Sequence, residues 1–268
     1  MADGQPNWFV RNNPRISAVG LGIVVIGTLL AMLSGPLYQA KLIALFPAFG
    51  VLQAGVIGSI AGAGVCLIAL IISITQHKGE AFTRNAGALV GLVVGLVVFY
   101  IPFSMSRGGF PPIHDVTTDI ENPPALVAAV PLRQQTGATN SPEYDRIVKS
   151  PRGGAEFNVP ELQQKAFPDI QPIKMDVPPA EAYAKALETV KKLNWTITAD
   201  VPAEGRIEAW DKTAWFGFID DVVIRVQPDG TGSRIDVRSV SRIGFGDVGK
   251  NAKRIRGFVK KLTGAGGH

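Results

Sequence analysis

The sequence predicts a membrane-anchored α+β protein: an N-terminal bundle of three transmembrane helices, then an antiparallel sheet with helices on one face. Three observations carry this expectation. Residues 16–34, 48–74 and 86–103 contain no Asp, Glu, Lys or Arg, and each reaches the ~17–25 residues a helix needs to cross a hydrocarbon core. From Pro111 onward lie nearly all the acidic residues and most of the basic ones, so a greasy anchor is joined to a charged head. Beyond Gln171 the apolar residues follow helix and strand periods in the order strand, helix, four strands, helix.

In the first segment, Arg11 and Arg15 precede the apolar run as in a signal peptide. The best-placed candidate cleavage site, Tyr38-Gln39-Ala40, puts a bulky ring where a small residue is wanted, so the segment reads as an uncleaved span. Leu37 to Phe46, apolar with one Lys and followed by Pro47, reads as a short interfacial piece. Arg11, Arg15, Lys78 and Arg84 flank one side of the spans, and only Lys41 and Arg107 the other. That bias puts residues 1–15 and the 75–85 loop in the cytoplasm, and the C-terminal head outside a bacterial plasma membrane, in the periplasm.

Small residues recur every four positions in the spans: Gly27, Ala31 and Gly35; Ala54, Gly58, Gly62 and Cys66; Gly87, Gly91 and Gly95. Such stripes let helices approach closely, within one chain or in a homo-oligomer. No ionisable residue lies inside a span, which argues against ion-coupled transport and for an anchor. The single cysteine, Cys66, excludes an intrachain disulfide and a cysteine-based metal site.

The head divides in turn. Residues 105–157, rich in Gly, Pro, Asn, Ser and Thr, read as an extended arm with little regular structure. The folded part is expected over 158–262, with a disordered tail at 263–268. Asn158 is placed to cap a helix through Phe167. Pro172 to Val177 reads as a strand, and Pro178-Pro179 opens a helix through Leu193. Trp195 to Ala199, Gly205 to Asp211, Asp220 to Gln227 and Ser233 to Arg242 alternate as strands, the last two joined by a tight Pro228-Asp229-Gly230-Thr231-Gly232 turn. Asp247 starts a last helix that ends at Leu262.

Three segments in this order carry a family resemblance: Ile113-His114-Asp115-Val116-Thr117-Thr118-Asp119, then Trp215-Phe216-Gly217-Phe218 followed by Asp220-Asp221, then Asp236-Val237-Arg238-Ser239 followed by Ser241-Arg242. Over roughly residues 111–262 the chain resembles the DUF1499 family. The resemblance implies an envelope- or membrane-associated domain without an established activity. Its strand order is similar to that of helix-grip domains.

Period-two alternation puts Arg225 and Gln227 on the same face as Arg234, Asp236, Arg238 and Arg242, with Arg206 and Glu208 beside them. A sheet covered by helices on one side leaves its other side polar. This face therefore reads either as a solvated charge ladder or as a shallow basic platform for an anionic lipid, a glycan or a partner carboxylate. Trp210 and Trp215, with Phe216 and Phe218, form either a lid on the core or a rim that touches membrane or partner. His114 with Asp115 or Asp119 invites an acid–base or metal reading, but the three most simply pin the arm to the sheet. Gly244-x-Gly246-x-x-Gly249 matches a dinucleotide pattern without the parallel sheet or the later acidic residue that pattern needs. No catalytic constellation, metal or cofactor is indicated. A net charge of +5 without a dense basic run disfavours nucleic acid. The expected partners are the bilayer and another envelope component. The favoured function is binding by the head, and the alternative is a membrane-bound hydrolase using His114.

Overall fold

The computed structural model describes residues 8–76, 86–107, 109–150 and 153–264. The 77–85 loop with Lys78 and Arg84, and most of the expected disordered tail (265–268), lie outside the described residues. The chain forms two compact units, 1–108 and 109–268. From residue 109 onward, the arm expected to be extended and pinned to the sheet belongs to the second unit.

The first unit contains α1 (Trp8–Gln39), α2 (Leu45–Gln76) and α3 (Ala86–Arg107). Two helices, Trp8–Gln39 and Leu45–Thr75, are long and apolar enough to cross a membrane. Ala86–Ile101 is a shorter apolar run. The interfacial piece expected over Leu37 to Phe46 does not form. Instead α1 runs to Gln39, Lys41 turns the chain with φ 58°, and α2 begins at Leu45.

The small-residue stripes bring these helices together within the chain. A Cβ on Gly55 would lie 2.5 Å from the Ala31 nitrogen, and one on Gly62 2.7 Å from the Val24 nitrogen. On the third helix, a Cβ on Gly95 would meet that of Ala63 at 2.6 Å. Backbones this close tolerate only glycine. Of the two roles expected for these stripes, the structure shows the close approach of helices within one chain. Large side chains point away from the seam, so Ile26, Met32, Ile57, Ile68, Val90 and Leu96 are exposed.

The second unit is a six-stranded antiparallel sheet. Its strands are β1 (Asp115–Thr117), β4 (Ile173–Met175), β5 (Thr196–Val201), β6 (Arg206–Lys212), β7 (Ile219–Asp229) and β8 (Gly232–Ser241), and β2 (Ile147–Lys149) pairs separately with β3 (Glu156–Asn158). The order is β1-β8-β7-β6-β5, with β4 also paired to β8. The expected strands and both long helices form. Helices α6 (Pro179–Lys192) and α7 (Lys250–Thr263) pack on one face, where Ile207, Val222, Ile224, Ile235 and Val237 meet Ala186, Val190, Ile255 and Phe258. Asn158 caps α5 (Val159–Ala166), its side chain accepting the Glu161 N–H at 3.2 Å.

The expectation of helices on one face only is corrected. A short α4 (Ala129–Gln135) lies on the opposite face, where Leu126 and Ala129 pack against Val223 and Val240. The arm also supplies strand β1 to the sheet edge, Asp115 opposite Val240 and Thr117 opposite Arg238.

Candidate functional site

Alternation along β6, β7 and β8 does put Arg206, Arg225, Arg234, Arg238 and Arg242 on one face, as expected. They do not form an open platform, because the segment from Thr118 to Tyr144 crosses that face and brings acidic groups with it. Arg238 is 1% exposed and Arg242 5%. Arg238 donates from Nε and Nη2 to the Asp115 carboxylate, at 3.0 and 2.7 Å, and to the carbonyls of Pro124 and Pro142. Its guanidinium also lies 5.6 Å from the centre of the Tyr144 ring. Arg242 and Arg133 share Asp221, with Nη2–Oδ1 at 2.7 Å and Nη1–Oδ2 at 2.6 Å. Arg225 and Arg234 share both Asp119 and Asp236. Arg206 pairs with Glu204 and Glu208.

The charge balance follows from these pairs. Six arginines (133, 206, 225, 234, 238, 242) face six carboxylates (115, 119, 204, 208, 221, 236). A neutral, mostly buried network has little field left for an external anion, and opening it would strand charges in a medium of low polarity. Beside it, the buried Glu208 carboxylate accepts the N–H groups of Val127, Ala128 and Ala129 at 3.0, 3.0 and 2.9 Å. These are orphan donors at the start of α4, which has no side-chain cap of its own. Glu208 thus holds the arm by the anion-binding property of a helix start.

The arm triad does not assemble as a catalytic group. Asp115 faces Arg238, and Asp119 faces Arg225 and Arg234. The Nδ1 atom of His114 lies 3.4 Å from the Phe245 carbonyl. Burial pushes the His114 imidazole below its ordinary pKa, against the opposing pull of Asp115. The cleft lined by His114, Asp115, Asp145 and Val148 holds about 10 Å³, room for about one water. No group of three or more His, Cys, Asp or Glu side chains converges as a metal site among the described residues.

The aromatic group divides. Trp215 is exposed at the β6–β7 turn, its ring 5.3 Å from Phe216, which stacks on Phe218 at 5.3 Å. Trp210 is half-buried on β6. The Gly244 to Gly249 stretch is a turn leading into α7. Asp247 accepts the N–H groups of Gly249 and Asn251 at 2.9 and 2.5 Å, so it serves the helix start from two residues before the cap residue, Gly249, rather than as the first residue of the helix.

On the helix-covered face the sequence reading missed a polar cluster. Arg254 bonds to Asp211 at 3.0 Å and to Asp220 at 2.7 Å, and Asn251 bonds to Ser241 and to the His114 carbonyl. Asp220 and Ser241 sit in the motifs already singled out, but Arg254 and Asn251 lie in a helix whose polar residues read as solvent-facing.

These pairings join the three motif segments to one another. No curated protein matches the chain in sequence. The profile of a family described as protein of unknown function, DUF1499, matches residues 115–262, from the arm aspartate on Arg238 to the end of α7. That match covers more than half of the 268 residues, and the chain belongs to the DUF1499 family.

Proposed function

We propose that this is a multi-pass membrane protein whose three apolar helices tether a DUF1499 head, and that the head acts by contact with other envelope components rather than by catalysis. The observation that carries the anchor is the way the first unit packs. Its small residues line the seams while bulky apolar side chains point outward on all three helices. That arrangement is stable where the surroundings are hydrocarbon, and in water it would expose a patch far larger than soluble proteins carry. The third helix, 22 residues in all, is ~33 Å long at ~1.5 Å per residue, enough to complete a three-span bundle. The Lys and Arg bias supports a cytoplasmic N-terminus and a periplasmic head.

The non-catalytic reading rests on the fate of the arm carboxylates. Asp115 and Asp119, which follow His114 in sequence, are both ion-paired to arginine, so neither is available as a base partner. Reporter fusions at residue 80 and at the C-terminus test the anchor. Activity or protease protection on opposite sides supports three spans, and the same side for both reporters overturns it. Crosslinking in intact membranes from the head, followed by identification of what is captured, tests the contact function.

A further inference from the structure

We infer that the end of the sheet where the chain enters the head docks on the anionic headgroup layer of the same bilayer, through Phe110, Trp215 and Val248 with Lys212, Lys250 and Lys253. This deepens the anchor reading above and rests on it. The register brings these residues to one end. Arg242 at the close of β8 donates its N–H to the Ile219 carbonyl at the opening of β7. The turn bearing Trp215 and the loop bearing Val248 therefore leave the sheet on the same side. The Asp247 N–H donates to the Ile113 carbonyl, and Gly249 lies against the Phe110 ring, which brings the entering chain to the same place.

Three features make this end unlike the rest of the head. Phe110, Trp215 and Val248 are 44%, 42% and 41% exposed, three of the five large apolar side chains exposed among the described residues of the second unit. Val248 has φ 54°, a left-handed backbone that a β-branched residue adopts only under strain. Gly or Asn would turn the chain there at less cost, and the exposed valine adds nothing to the core. Strain that holds an apolar side chain outward is explained by something for that side chain to enter. Lys212, Lys250 and Lys253 are exposed around these residues, with no ion pair among the described residues, in contrast to the paired arginines of the sheet.

The occupant follows from covalent geometry and charge. Phe110 stands three residues beyond Arg107, where α3 ends, a reach of at most ~11 Å at ~3.6 Å per residue. An aromatic and aliphatic tip ringed by lysines matches a headgroup layer, where rings sit at the interface and ammonium groups meet phosphates.

The test uses the full-length protein with Cys66→Ala in lipid nanodiscs containing phosphatidylglycerol and a nitroxide placed in the headgroup region. An environment-sensitive fluorophore is attached at Val248→Cys, at Trp215→Cys, or at Thr231→Cys on the far end of the sheet. The expected result is strong quenching at positions 248 and 215 and little at 231. Adding Lys250→Glu and Lys253→Glu should weaken the docked state by about tenfold or more. Quenching at 248 and 215 no greater than at 231, in protein that is integrated into the discs, overturns the docking surface and leaves the anchor standing. Release of the protein from membranes by alkaline carbonate overturns both.

Discussion

Arg238 and Asp115 lie 123 residues apart in the chain and meet as a two-pronged ion pair in the interior of the head, Nε to Oδ1 at 3.0 Å and Nη2 to Oδ2 at 2.7 Å. One belongs to the long β8 strand and the other to the three-residue β1. A strand as short as β1 has little intrinsic stability, so this pair does much to decide whether the arm joins the sheet. Arg238→Ala leaves Asp115 buried without a counter-charge and should cost ~3–5 kcal/mol. Arg238→Lys should not restore it, because a lysine cannot present two parallel donors to a carboxylate. Hydrogen exchange of the β1 and β8 amides reads the effect, and wild-type protection in Arg238→Ala would refute it.

Glu208 is the second clamp on the arm. It accepts three backbone N–H groups from Val127 to Ala129 and an ion pair from Arg206. Glu208→Gln keeps the shape but turns one acceptor into a donor facing N–H groups. Each lost charge-assisted bond is worth ~1.5–3 kcal/mol. The expected outcome is selective proteolysis within residues 119–145 while the helix-covered face stays resistant. Cleavage spread evenly over the head would show that Glu208 supports the whole fold instead.

The glycine seam of the first unit allows a paired comparison. Gly62→Val drives a side chain into the Val24 backbone, whereas a side chain at Gly64 meets nothing within 4 Å. The reporter is disulfide formation between Asn13→Cys and Ser73→Cys in a Cys66→Ala background, since the wild-type side chains are 3.4 Å apart. Gly62→Val should cut the crosslinking yield several-fold and Gly64→Val should leave it unchanged. Equal yields would mean that the helices do not meet at this seam.

The architecture was legible in the sequence wherever the signal is local. Alternation sorted Arg225, Asp236 and Arg238 onto one face, and the caps and prolines placed the helices. What covers that face was not legible. Asp115 and Asp119 are matched to their arginines across more than a hundred residues, and Asp221 to Arg133 across 88. The covering elements are a three-residue strand and a seven-residue helix without a cap of its own. Neither leaves a periodic trace, and the glycines and prolines around them read as an extended arm. Five arginines on one face therefore looked like a binding surface, when Asp115 and Asp119 from the arm complete the pairing that Glu204, Glu208, Asp221 and Asp236 begin. The same blindness hid Arg254, whose carboxylates Asp211 and Asp220 sit on two different strands.

Asp247 gives the head a pH dependence of known sign. Burial, with Asp220 adding to it, raises its carboxyl from 3.8 to about 6, against the opposing effect of the Asn251 and Gly249 N–H groups and of Arg254. An acid whose folded pKa lies above its unfolded value binds more protons in the folded state between the two. Its contribution to stability is therefore largest near pH 4 and is lost as pH rises through about 6. At ~1.4 kcal/mol per pK unit, a rise from 3.8 to about 6 makes the swing on the order of 3 kcal/mol. Asp247→Asn forfeits one N–H acceptor at every pH, a constant offset of ~1 kcal/mol, but it has no carboxyl to titrate. Relative to wild type, the variant should therefore gain stability between pH 4 and pH 7, and the gap in urea midpoint between the two proteins should narrow or reverse. A gap that stays constant across that range would show that Asp247 does not take up a proton as the head folds.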